Sequence, residues 1–265
     1  MSKTILITGA TDGIGLVTAK ALLQLPQKHH ILLHGRNPKK LEKINQELSA
    51  LGKVTTYIAD LSSVDAVKKF AEAILSKHEK LDVLINNAGI LNSPNSITKD
   101  GLDIRFMVNT LAPYFLTKSL LPLLNHGRVI NLSSAAQASV NMKALIDCYE
   151  PLSAMDAYSQ SKLALTMWSF SLAKTLGNNG PIIVAVNPGS LLASKMVKES
   201  FGIAGKDIGI GADILVRAAL SDEFMAASGK YFDNDLGEFT DPHPDSLNDE
   251  KCDAIVSAIE NNFHV

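Results

Sequence analysis

Short runs of aliphatic and β-branched residues alternate along the chain with longer segments of helical period, and this alternation restricts the fold most. Apolar runs at 4–8, 30–33, 54–58 and 81–85 are each followed by a helical pattern, at 15–25, 38–51, 64–78 and 100–124. Further runs at 128–132 and 182–186, with helical patterns at 156–176 and 211–227, continue the series. A last strand at 229–232 and a last helix at 246–261 close it. Two parallel strands can be joined only by a crossover, so repeated β-α-β units predict a parallel sheet. The runs are almost continuously apolar, which means that helices cover both faces. The expectation is an α/β, doubly wound parallel sheet of about seven strands in one domain spanning 1–265, a length that suits a single α/β domain.

Composition narrows the function. Hydrophobic residues make up 46% and charged residues 20% of the chain, which fits a packed core and not disorder. The formal net charge is -2 with no long run of one sign, so nothing marks a surface for nucleic acid or an anionic membrane, and small-molecule chemistry is the default. Cys148 and Cys252 lack metal or redox spacing and read as free thiols of a reducing compartment. Histidines 29, 30, 34, 78, 126, 243 and 264 form no ligand-spaced group, so no metal is expected. The run at 4–8 is too early and short for a signal sequence, and Lys118, Ser119 and Pro122 interrupt the leucine-rich stretch at 114–124. A cytoplasmic protein without a membrane span is expected.

The first strand runs into Thr8-Gly9-Ala10-Thr11-Asp12-Gly13-Ile14-Gly15, and a helix follows at once. A glycine-rich turn between strand and helix lets the backbone approach a pyrophosphate and aims the unpaired N–H groups of the helix start at its charge. Its place in the first β-α-β unit is the context that such a site demands. The spacing Gly9, Gly13, Gly15 matches T-G-x-x-x-G-x-G, and from here the chain resembles the short-chain dehydrogenase/reductase family. The resemblance implies a Rossmann-type fold in which Gly9, Thr11, Asp12, Gly13, Ile14 and Gly15 surround an NAD(P) cofactor.

The second strand ends His34-Gly35-Arg36-Asn37, where NAD-selecting folds usually carry an acid for the ribose 2′-hydroxyl. Gly35 takes that place and Arg36 is available to a 2′-phosphate, which favours NADP(H) over NAD(H), with Asn37 beside it. The competing reading of Arg36 is a solvated loop cation. Asp60-Leu61 after the third strand resembles the family's adenine-capping aspartate, or caps the next helix. Asn86-Asn87-Ala88-Gly89 after the fourth resembles the family tetrapeptide that lines the adenine-ribose pocket and braces the sheet.

Tyr158-Ser159-Gln160-Ser161-Lys162 places a phenol and an ammonium one helical turn apart on one face. A tyrosine pKa of ~10 is poor for acid-base work at neutral pH, and a lysine cation close by would stabilise the phenolate. By resemblance, Ser134 of Asn131-Leu132-Ser133-Ser134 is the serine that hydrogen-bonds the substrate oxygen, and Asn109 of Phe106-Met107-Val108-Asn109-Thr110 completes an Asn-Ser-Tyr-Lys tetrad. Pro188 and Gly189 resemble the turn against the nicotinamide. The family's following Thr or Ser is displaced here, Ala193 standing at the usual spacing and Ser194 one beyond. Taken singly, each tetrad residue could be structural, and the argument rests on their order and placement. The resemblance implies reduction of a ketone or aldehyde, or oxidation of an alcohol, by hydride transfer with Tyr158 as general acid or base.

The segments 135–155 and 190–210 lack periodicity and are expected to wall the substrate site. The longer spacing from Ser134 to Tyr158 resembles the retinol-dehydrogenase-like and WW-domain-oxidoreductase-like branch. Met142, Leu145, Ile146, Tyr149 and Leu152 either line an apolar pocket for the substrate or pack the segment onto the sheet. The 156–176 helix carries apolar residues beyond one contact face, including Trp168 and Phe170, and in the family this helix often pairs subunits, which leaves a homo-oligomer open. Two other readings stand beside the enzyme. A catalytically silent nucleotide sensor or scaffold has no physical need of the tyrosine-lysine spacing, and a nucleotide-sugar epimerase generally needs a larger C-terminal domain.

Overall fold

The structure, a computed structural model, describes residues 1–147 and 152–263. Cys148, Tyr149 and His264 lie outside the described residues. Strands β1 (Thr4–Ile7), β2 (His30–Gly35), β3 (Lys53–Ile58), β4 (Val83–Asn86), β5 (Arg128–Leu132), β6 (Ile182–Asn187), β7 (Lys230–Asp233) and β8 (Glu238–Phe239) form one sheet. Their order is β3-β2-β1-β4-β5-β6-β7-β8. β1 to β7 are parallel, and the two-residue β8 returns antiparallel to β7. Two residues are too few to show a period, which is why β8 does not stand out in the sequence.

Helices α1 (Gly13–Gln24), α2 (Pro38–Ser49) and α9 (Gly209–Leu220) cover one face, and α3 (Val64–Leu75), α5 (Ala112–Leu120), α7 (Ala154–Leu176) and α10 (Asp249–Phe263) the other. In β1, Ile5 and Ile7 enter the first layer and Leu6 the second, all fully buried. Alternating side chains meet apolar neighbours on both sides, so the strand needs no polar face. Short polar side chains start the helices: Asp12, Asn37, Ser63 and Ser153 accept first-turn N–H groups of α1, α2, α3 and α7.

The periodic stretch at 100–124 is not one helix. It divides into α4 (Ile104–Phe106), a π-turn (Met107–Leu111), α5 and a 3-10 turn (Leu121–Leu123). Pro113 explains the π-turn, because it has no N–H for the carbonyl four residues back, that of Asn109, and its ring would clash there. The segments expected to be irregular also hold short helices, α6 (Met142–Ile146) and α8 (Lys195–Phe201).

Most of the surplus apolar face of α7 is covered within the chain, Phe170 remaining half-buried. α10 lies along α7 and α5, with Glu260 accepting from Tyr114 (2.7 Å) and Lys118 (2.9 Å), Asp253 accepting from Ser171 (2.7 Å), and Phe263 5.4 Å from Phe115. Trp168 is fully buried, edge-on to Tyr114 at 5.4 Å. Thus Trp168, one of the residues that suggested subunit pairing, is enclosed by this chain's own helices. No helix among the described residues is long and apolar enough to cross a membrane.

Ile255 is the fully buried centre of α10. Ile255→Ala is expected to cost about 3 kcal/mol in urea unfolding. A loss under about 1 kcal/mol would mean that α10 is not part of the cooperative core.

Candidate active site

The strand order reverses between β1 and β4, and the ends of adjacent strands part there into a crevice. It holds a cavity of about 360 Å³. Gly9, Asp12, Gly13 and Ile14 line it after β1, Arg36 after β2, and Asp60 and Leu61 after β3. Asn87, Ala88 and Gly89 follow β4, Tyr158 and Lys162 project from α7, and Pro188 and Ser194 complete the wall. A second cavity of about 200 Å³ adjoins it, sharing Ile14, Ser133, Tyr158, Pro188, Ser194 and Met196, and adding Ser134 and Gly189.

Five of the expected residues, Thr11, Gly15, Asn37, Asn86 and Asn109, line neither cavity. A β-carbon on Gly35 would lie 2.5 Å from Thr11 Cγ2, so Thr11 fills the space beside β2. One on Gly15 would lie 2.4 Å from Asn87 Nδ2, so Gly15 allows α1 to approach β4. Asn37 caps α2 through Lys40 N (3.0 Å). Asn86 is buried beneath the crevice, donating to Thr117 (3.1 Å) and Asn131 (2.8 Å), and braces the sheet. Asn109, in the π-turn, exchanges hydrogen bonds with Ile90 N (2.8 Å) and O (2.9 Å) and donates to Ser161 (2.9 Å), tying the loop after β4 to α7. Asn87 stitches the two turns together through Thr8 O (2.8 Å) and Gly9 O (3.1 Å).

His34 is the cleft residue that sequence reasoning missed. Its Nδ1 accepts from Gly9 N (3.1 Å), so Nε2 carries the proton and donates to Ala59 O (3.1 Å). The ring thereby joins the glycine turn to the end of β3. Burial holds it at about 4 against an ordinary 6.5, although the Ala59 carbonyl and Asp60 act the other way. A histidine closing an apolar strand looks like sheet packing, and only the tertiary contact reveals its role. At the rim, the Lys40 ammonium on Asp12 holds that carboxyl below the usual range, opposed by partial burial, and Arg36 is exposed.

The two serines after β5 part company. Ser133 is buried and bonds Thr166 (2.7 Å) and Lys162 O (3.3 Å), whereas Ser134 faces the second cavity, its Oγ accepting from Ala136 N (3.1 Å). Lys162 Nζ donates to Leu132 O (2.7 Å) and lies 5.7 Å from the Tyr158 ring centroid. Among the described residues that carbonyl is its one hydrogen-bond acceptor, so two of its three N–H groups are free for a cleft ligand. Burial lowers Lys162 to about 8. Burial raises Tyr158, with the Ser134 hydroxyl acting against it, so the expected lowering of the phenol by the ammonium is not found. The ammonium is drawn to Leu132 O, and desolvation of the half-buried phenol dominates.

Met142, Leu145, Ile146 and Leu152 pack onto the core on the α7 side. The apolar wall of the second cavity comes instead from Leu91, Met155, Leu192, Val197 and Phe201.

These residues fit a nicotinamide dinucleotide. Gly13 has φ +56, and a β-carbon on it would meet nothing within 4 Å, so the turn is open where a pyrophosphate would lie on the start of α1. Fold and crevice are those of a dinucleotide-binding oxidoreductase. The short chain dehydrogenase family profile matches residues 3–202. Human retinol dehydrogenase 13 is 31% identical, over 87% of this chain and 76% of its own. Among solved structures, an uncharacterized protein from Mycobacterium paratuberculosis superposes with a TM-score of 0.82 at 27% identity, covering 99% of this chain and 94% of that one. The Pseudomonas aeruginosa RhlG/NADP active-site complex superposes at 0.70 with 25% identity, covering 87% and 94%. The chain belongs to the short-chain dehydrogenase/reductase family, whose members bind NAD(P), and it is similar to the retinol dehydrogenases.

His34 carries an acid-stability signature. Its folded pKa lies below 6.5, so between pH 6.5 and about 4 the unfolded chain binds a proton that the native one refuses, and stability held above that window is lost through it. Urea unfolding at pH 7 and pH 4.5 is expected to show His34→Gln losing about 2 kcal/mol less than the parent protein across that interval. Equal losses in the two proteins would assign the acid limb to other groups.

Proposed function

We propose that the protein interconverts an apolar ketone or aldehyde and the corresponding alcohol, with NADP(H) preferred over NAD(H). The observation that carries this reading is that Tyr158 stands in the wall common to the two cavities. The larger cavity takes the cofactor and the smaller, with Ser134 and an apolar wall, takes the substrate. Leu191–Phe201 residues supply most of that wall, with Ile14, Leu91, Ala135, Ala136 and Met155 beside them, so residues from 190–210 and from the ends of 135–155 bound the substrate.

The nicotinamide supplies the hydride in reduction and takes it up in oxidation. Tyr158 gives its phenolic proton to the substrate oxygen, and its raised pKa keeps that proton in place at neutral pH. Ser134 donates a hydrogen bond to the same oxygen while charge develops on it. Lys162, cationic below about 8, offers its two free N–H groups to the cofactor ribose. Oxidation runs the same transfers backwards.

Cofactor preference rests on the end of β2. Gly35 abuts Thr11 so closely that no acid side chain fits there, while Arg36 is exposed at the rim, within the lining of the cavity. A guanidinium suits a 2′-phosphate, which NADP(H) has and NAD(H) lacks. In a fluorescence titration, Arg36→Ala is expected to weaken NADPH binding by about tenfold or more and NADH binding by less than about threefold. An equal effect on both would remove Arg36 from cofactor selection.

Tyr158→Phe is expected to bind NADPH as the parent protein does and to reduce a panel of apolar aldehydes and ketones about a thousandfold more slowly. Near-normal turnover in this variant would overturn the assignment of the acid.

A further inference from the structure

The segment between β6 and α9 is a flap whose two stems meet at one carboxylate. It leaves the sheet at Asn187 and returns at Lys206. In between, Ser194, Lys195 and Met196 face the larger cavity, and Leu192, Val197 and Phe201 the smaller. The stems are zipped by Lys206 N donating to Leu191 O and Ala193 N to Lys206 O, each 2.7 Å. Gly205 lies so close to Ala193 that a β-carbon on it would stand 2.7 Å from Ala193 N, and Leu191 takes a left-handed φ of 56. Such a backbone persists only where its surroundings hold it.

Asp235, in the turn between β7 and β8, does the holding. Its carboxylate accepts from Ser190 N (2.9 Å), from the Ser190 hydroxyl and from Asn187 Nδ2 (3.0 Å) on the outgoing stem, and pairs with Lys206 Nζ (3.5 Å) on the returning one. Asp235 is itself anchored by its N–H on Asp233 Oδ1 (2.9 Å), and Asn234 Nδ2 adds a bond to Pro188 O (3.0 Å). One charged acceptor thus satisfies donors from both ends of a flap that walls both cavities. Nothing in the hydride or proton transfer uses Asp235, yet its bonds fall at both ends of the segment that carries Pro188, Ser194 and Met196.

We propose that Asp235 is a positioning residue that clasps the flap at 190–206 over the cofactor and substrate cavities. The proposal rests on the reading of those cavities given above. Its consequence is that removing the carboxylate opens the flap while the sheet and α7 stay folded.

The 265-residue chain without added cofactor is digested briefly with trypsin, and cleavage after Lys195 and Lys198 is followed by mass spectrometry. Asp235→Ala is expected to speed that cleavage about tenfold, in line with the loss of charge-assisted hydrogen bonds, with an almost unchanged urea midpoint. Asp235→Glu, which returns the carboxylate, restores part of the protection. Lys206→Ala speeds cleavage by a smaller factor in the parent protein and adds nothing in the Asp235→Ala background, since both act on one clasp. With NADPH as the probe, Asp235→Ala is expected to bind about tenfold more weakly. Should Asp235→Ala fail to fold, Ser190→Ala and Lys206→Ala carry the test, each with a cleavage rate raised severalfold. Unchanged cleavage with intact NADPH binding overturns the clasp and leaves the proposed function standing. Faster cleavage in a protein whose parent binds no NADPH upholds the clasp and overturns the reading of the larger cavity.

Discussion

Burial of both faces of the central strands governs this molecule. Residues 5–7 of β1 and 83–85 of β4 are fully buried, and the side chains above and below them belong to helices that cross from one strand to the next. A strand with no polar face can meet polar ligands only at its end, so the chemistry gathers along one edge of the sheet. There the order β2-β1-β4 sends successive crossovers to opposite sides, and the gap left between them is the crevice. Gly9, Asn87, Ser134 and Pro188 come together for that reason, although they are spread over most of the chain.

A polar seam between α7 and the sheet then places Tyr158 and Lys162. Ser133 bonds Thr166, Asn131 bonds Ser169 (2.8 Å) and Asn86, and Asn109 bonds Ser161, all of them buried. Apolar packing alone tolerates small slides of a helix along a sheet, whereas these bonds are satisfied at one register, and leaving a buried donor unmatched costs about 1–3 kcal/mol. The register matters because Lys162 reaches Leu132 O at 2.7 Å only from this position, and Tyr158 then falls between the two cavities. Asn109 contributes through the π-turn that Pro113 imposes, which joins the loop carrying Ala88 and Gly89 to the same helix.

The parallel sheet, the glycine turn and the tyrosine-lysine pair are legible in the sequence because each is local. They depend on period, on close spacing or on one helical turn. What the sequence conceals is relational. His34 reads as the end of a strand until Gly9 and Ala59 are seen on its two nitrogens. Asn86 belongs to a tetrapeptide with three cleft residues, yet the alternation of β4 turns its side chain down into the seam. Met142, Leu145 and Ile146 have the composition of a substrate wall and serve as core, because α10 lies next to α6, a placement that no local pattern announces. The phenol's pKa is likewise a balance, in which burial outweighs the Ser134 hydroxyl.

The C-terminal third shows the same division from the other side. It carries none of the tetrad, and its sequence has little motif character, but it supports the machinery built by the first two-thirds. α10 encloses α7, Tyr231 OH donates to Ser134 O (3.1 Å), and Asp235 ties both ends of the flap. A residue that touches substrate is constrained by chemistry to a few side-chain types, and so can be read from a motif. A residue that holds such a residue in place needs only a donor or an acceptor at the right point in space, which many sequences can supply. The groups that tie down the flap are of the second kind, which is why the sequence announces no clasp although the flap's apolar residues share the smaller cavity with Tyr158.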